Sequence, residues 1–220
     1  MIGRAACVTA LVAALAPTAW SQNEWTATIV GPGFADVSVR ELAMSRRALA
    51  FYRSEAGSDT AFVLRFGAPE EGYPLIDAPD WFEGGGALPD FNLLQFPVLE
   101  AGDRRLRVRT ADGPYWVDRS GAVAYLPWET FLVERVTGLD RLDPNANPLR
   151  ASPDSTAEAL PFTPPSEDGW ECLAIREVRG VWARVEWSAL CVGDEEMPPL
   201  DGWIRWREGD RLLIDYGLVC

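Results

Sequence analysis

The sequence contains no histidine and no lysine, so all 20 of its basic residues are arginines. Without an imidazole, a Ser-His-Asp triad, a Cys-His pair, a histidine-ligated metal and a histidine proton shuttle are excluded. Cysteine is scarce, with four in 220 residues, and no two stand as Cys-x-x-Cys. A dithiol redox motif is therefore missing. Positive charge is outnumbered by 33 acids, for a net −13. That balance argues against nucleic acid and anionic lipid surfaces as partners. Beyond the first 21 residues, no apolar run approaches the length of a membrane span.

Those first residues have a pattern of their own. Arg4 precedes the apolar stretch 5–16, and Ala19-Trp20-Ser21 places small residues at −3 and −1. This predicts a secretory signal peptide over 1–21, cleaved before Gln22, and a periplasmic or secreted protein with no membrane insertion afterwards. An uncleaved N-terminal helix has the same hydropathy and is the alternative. Cys7 precedes most of the apolar run, which argues against a lipid-modified cysteine.

The remainder reads as strands and turns. Residues 22–44 form a lead-in, with a weak strand at 26–30 and a short amphipathic helix or irregular segment over 37–49. Strands are expected at 61–66, 93–99, 104–109, 115–118 and 131–136, with a loop-like insertion at 67–92. Gly84-Gly85-Gly86 lacks the Lys-Ser/Thr of a phosphate loop. Residues 138–169 are rich in Pro, Asp, Asn and Ser, and 138–148 is read as a linker. Asp143, Asn145, Asn147 and Asp154 are spaced like calcium ligands, but Pro148 stands where such a loop needs glycine. Further strands follow at 181–187, 202–206 and 211–216, with turns at Gly180 and Gly209.

A faint repeat runs through the chain. Residues 52–61 align with 149–157, Leu64-Arg65-Phe66 with Leu160-Pro161-Phe162, and 96–99 with 172–175. Residues 104–109 then align with 181–186 and 115–118 with 202–205, in the same order. The second copy, with Leu149-Arg150-Ala151-Ser152-Pro153, Gly180-Val181-Trp182 and Gly202-Trp203-Ile204, resembles the bacterial Src-homology-3-like domain. The resemblance runs from Asn145 to Cys220 and is weaker in the first copy. It implies an all-β chain of two tandem small Src-homology-3-like barrels with long loops, over 45–137 and 149–220. It also implies a non-catalytic module that binds an envelope partner, whether protein, peptide or peptidoglycan. Relatives fused to a Cys-His peptidase have no counterpart in a chain without histidine.

Aromatic and charged residues nominate the binding surface. Ten tryptophans could fill the barrels, or some of Tyr115, Trp116, Trp128, Trp182, Trp203 and Trp206 could line a shallow groove for extended peptides or sugar rings. The proposed ligand-binding set is Tyr115, Trp116, Trp182, Arg184, Trp203 and Arg205. Strand alternation puts Trp182 and Arg184 on one face, Ala183 and Val185 on the other, and Trp203 with Arg205, which makes both tryptophans candidates for exposure. After cleavage three cysteines remain. A hairpin turning at Gly180 places Cys172 opposite Ser188, which favours a Cys172–Cys191 disulfide over Cys172–Cys220 and leaves room for a Cys220-linked dimer. No cofactor and no metal are expected. A structural protein–protein subunit is one alternative. The other is a small hydrolase using acid pairs such as Glu70-Glu71, Asp77/Asp80 or Glu195-Glu196.

Overall fold

The computed structural model describes residues 29, 31–67, 73–80, 82, 87–88, 93–165, 169–189 and 197–218, with backbone only at 87, 88 and 93. The signal peptide, the expected strand at 26–30 apart from Ile29, the triple glycine, Glu70-Glu71, Glu195-Glu196, Cys191 and Cys220 lie outside the described residues. Among the described residues, no helix is long and apolar enough to cross a membrane.

The chain is mostly β-sheet. The first half supplies β1 (Gly33–Val37), β2 (Leu49–Tyr52), β3 (Thr60–Phe66), β4 (Leu75–Asp77), β5 (Ala87–Leu88), β6 (Leu93–Ala101), β7 (Arg105–Thr110), β8 (Gly113–Asp118) and β9 (Val123–Pro127). The second supplies β10 (Gly138–Arg141), β11 (Leu173–Arg179), β12 (Trp182–Trp187), β13 (Gly202–Arg205), β14 (Arg207–Glu208), β15 (Arg211–Leu212) and β16 (Ile214–Gly217). Two short helices, α1 (Val39–Ser45) and α2 (Trp128–Glu134), complete the described elements.

Beside a two-stranded sheet of β14 and β15, two larger sheets repeat one pairing order. The first runs β4-β3-β2-β8-β7-β6-β1-β9, with β5 added to β6; the second runs β13-β12-β11-β10-β16. Thus β8-β7-β6-β1-β9 corresponds to β13-β12-β11-β10-β16. The place of β2 beside β8 is taken beside β13 by Arg150, which bridges Trp203 on one side and Ala159 on the other. Neither strand order closes on itself.

Local sequence explains the helices. Ser38 caps α1 by accepting the Glu41 N–H at 3.2 Å, and Val39 and Leu42 are its buried residues. Residues 131–136, expected as a strand, belong instead largely to α2. Trp128, Phe131 and Leu132 fall at i, i+3 and i+4, so a helix buries all three on one stripe. A strand would have separated Phe131 from Leu132 across two faces.

That stripe joins the halves. Phe34 of β1 stacks on Phe131 at 4.0 Å, and Trp128 lies 5.8 Å from Trp206. Phe131 also meets Tyr216 edge-on at 5.6 Å. Ile29, Phe34 and Leu126 share this core with Leu139, Leu173, Ile175, Val185, Ile204 and Trp206. A separate core beneath the first sheet contains Phe51, Leu64, Phe96, Leu106, Val108 and Val117.

The stretch 138–148, expected as a linker, carries regular structure. Its first four residues are β10, which pairs with β16 from Gly138↔Gly217 to Arg141↔Ile214. The calcium-like spacing serves turns: Asp143 accepts the N–H groups of Asn145 and Ala146, both at 3.0 Å. Asn147 is buried and exchanges two hydrogen bonds with the Arg205 backbone, at 2.7 and 3.0 Å. Its carboxamide does the work of a ladder there, and polarity in a loop-like sequence gave no sign of it.

Candidate binding face

Register assembles four of the six nominated residues. Across β12 and β13, Trp182 opposes Arg205 and Arg184 opposes Trp203. Directly opposed residues project to the same side, so these four share the outer face of the second sheet. Ala183, Val185 and Ile204 point the other way and are wholly buried. Tyr115 and Trp116 belong to β8, in the other sheet, and take opposite faces there. Tyr115 turns inward to meet Phe62 edge-on at 5.0 Å, while Trp116 lies opposite Arg107 and Tyr52. Trp128 and Trp206 are core residues.

The exposure expected of Trp203 is not found: it is only 7 % exposed. Two long-range contacts cover it. The Arg179 guanidinium of β11 lies 4.9 Å from its ring centroid, and the Arg150 backbone pairs with it on the open edge of β13. Trp182 is half-buried, as alternation predicts for the wetter side. Gly202, which precedes Trp203 and lies opposite Val185, has a steric reason: a Cβ there would stand 2.6 Å from Leu149 Cγ.

Ion pairs lace the face around Trp182. Arg184 holds both Asp201 oxygens, at 2.6 and 2.5 Å, and Arg179 pairs with Glu177 at 2.5 Å. Arg176 pairs with Glu186. Glu208 accepts from Arg205 at 3.2 Å and Arg211 at 2.7 Å. Their arginine hydrogen bonds hold the Asp201 and Glu208 carboxyls below the usual range. The surface is thus a plane of matched charges around one indole, suited to polar groups and flat rings rather than to a highly charged ligand. Arg207 stacks on Trp206 at 4.8 Å, and its buried Nε has no hydrogen-bond partner among the described residues.

Beneath the second sheet lies a polar cluster that the sequence does not reveal. Arg141 and Glu171 form an ion pair with both side chains 4 % exposed; NH2 reaches Oε1 at 2.7 Å and Nε reaches Oε2 at 2.9 Å. Arg141 also donates to the Asn147 carbonyl at 3.0 Å, and Asp140 accepts the Glu171 N–H at 2.6 Å. Burial, then the nearby Glu171 and Asp215 charges, push the Asp140 carboxyl up. The first sheet has a counterpart in Arg105. It pairs with Asp118 at 2.7 Å, donates to the carbonyls of Ser54, Glu55 and Gly57, and lies 3.7 Å over the Tyr52 ring.

The Cys172 carbonyl accepts the Ser188 N–H at 2.7 Å, the register expected of the hairpin. Cys172 is buried and disulfide-bonded; since Cys191 and Cys220 are not described, neither pairing is decided. Of the acid pairs, Asp77 is bound 3.4 Å from Arg65 and Asp80 is exposed. Among the described residues, no three His, Cys, Asp or Glu side chains are grouped to hold a metal ion. No protein-family model matches the chain, and neither a curated protein nor a solved structure matches it.

Proposed function

We propose that this chain is a non-catalytic, exported binding module of the cell envelope, engaging a protein, peptide or cell-wall partner through the outer face of β11–β13. The observation that carries the reading is the register placing Trp182, Arg184 and Arg205 together on one ordered face. Trp203 lies on the same face but is covered there by Arg179 and flanked by Arg150. The two halves are read as Src-homology-3-like units from the sequence resemblance; the pairings of β1 with β9 and of β10 with β16 bring strands from outside 45–137 and 149–220 into each sheet. Retention from envelope extract and sedimentation with purified cell wall, on wild type and Trp182→Ala, test it. Loss of a half-exposed ring should weaken retention at least about tenfold, equivalent to about 1.4 kcal/mol, with little change in melting temperature. Full retention by a folded Trp182→Ala overturns it.

The burial of Trp203 and the pairing of the surface charges favour a second reading, a structural subunit that packs against a partner protein. A stable complex that survives Trp182→Ala, captured from extract but not by cell wall, is the result that selects it. Export carries its own test. Thiol counting on the exported protein should find one free cysteine per chain, or none in a Cys220-linked dimer, and three free thiols contradict it.

A further inference from the structure

The internal repeat aligns Leu64-Arg65-Phe66 with Leu160-Pro161-Phe162, and the structure treats the two copies differently. In the first half the segment is the end of β3, laddered to β2 with Leu49↔Leu64 in register. In the second half the ladder stops once the Leu160 N–H has reached the Leu149 carbonyl at 2.8 Å. Pro161, Pro164 and Pro165 have no N–H to offer. Among the described residues, no backbone hydrogen bond ties 161–165 to the rest of the protein. Side chains alone hold this strap. Leu160 and Phe162 pack on the core shared by the two halves, while Pro161 and Thr163 face solvent. The Phe162 ring stacks on Trp187 at 5.5 Å and 30°, and the Arg141 guanidinium lies 4.8 Å from its centroid.

We infer that residues 160–165 are a displaceable strap filling a site built for a flat aromatic ring, and that the natural competitor is an extended segment of a partner chain carrying an aromatic side chain. The other walls of the site are held by bonds that do not involve the strap. Arg141 is fixed by Glu171 and Asn147, and the Trp187 indole N–H is held by the Pro198 carbonyl at 2.7 Å. The strap is the opposite: extended, proline-fixed and free of ladder bonds, so its exchange for a similar segment breaks no backbone hydrogen bond beyond Leu160. This site does not depend on the outer face, because Trp187 projects from β12 to the side opposite Trp182.

The test uses the full chain and an acetylated, amidated peptide, Ala-Leu-Pro-Phe-Thr-Pro-Pro, followed by titration calorimetry. Phe162→Ala empties the ring position and should bind the peptide at least about tenfold tighter than wild type. The same peptide with alanine for phenylalanine should bind neither protein. In the wild type, chymotrypsin under native conditions should cut the Phe162–Thr163 bond before any bond within β10–β16. The inference is overturned if folded Phe162→Ala binds the peptide no better than wild type, or if the phenylalanine-free peptide binds equally well. It is also overturned if Phe162→Ala fails to fold, or if the strands are cut before the strap.

Discussion

Trp182 and Trp203 are neighbours on one face with different duties. Trp203 is covered by Arg179 and pinned by Arg150, so Trp203→Ala should cost about 3–5 kcal/mol in a urea titration. Trp182→Ala should cost less than about 1.5 kcal/mol, since part of its ring is already in water. Equal losses would mean that both are core. The buried pair makes a sharper demand. Glu171→Ala leaves the Arg141 guanidinium without its carboxylate in a site only 4 % exposed, a change worth about 3–5 kcal/mol. Replacing both by methionine should recover much of that loss, and a double mutant as unstable as Glu171→Ala would refute the charge explanation.

Strands β10 and β16 place Asp140 directly opposite Asp215. Like charges facing each other across an antiparallel pair oppose the pairing by about 0.2–1 kcal/mol. Because the folded carboxyl of Asp140 is raised, the folded chain holds that proton more tightly than the unfolded one. The penalty is therefore full above its folded pKa and fades as pH falls through that pKa towards the unfolded value. Asp215→Asn should thus stabilise the protein near pH 7, with the gain over wild type shrinking in mildly acidic buffer. A pH-independent gain would contradict it. These elements also show what the sequence makes legible. Arg105–Thr110, Trp182–Trp187 and the turns at Gly180 and Gly209, with φ of 61° and 58°, follow from period-two alternation and turn chemistry. The helix at Trp128–Glu134 does not, because the segment is only seven residues long, barely two turns of helical period, and the deciding contacts come from Phe34 and Tyr216. Similarly, alternation puts Trp203 on the correct face, but its covering arginines come from β11 and from the 150 loop.

At the scale of the whole molecule, the repeat produces two sheets of one pairing order that are not two independent bodies. By sequence Phe34 belongs to the lead-in and Trp128 to the first copy, yet Trp128 packs on Trp206 and Tyr216 of the second, with Phe34 edge-on against it. A fragment beginning at residue 145 lacks β10, α2 and Arg141, so it should melt broadly or not fold, whereas the sequence alone suggests an autonomous unit. A sharp melt of that fragment would show that the shared core is dispensable. The most direct measurement is differential scanning calorimetry of the full chain beside Phe34→Ala. The shared core predicts one transition with calorimetric and van't Hoff enthalpies in agreement, shifted downward as a whole by the substitution. Two transitions, of which Phe34→Ala moves only one, would contradict it.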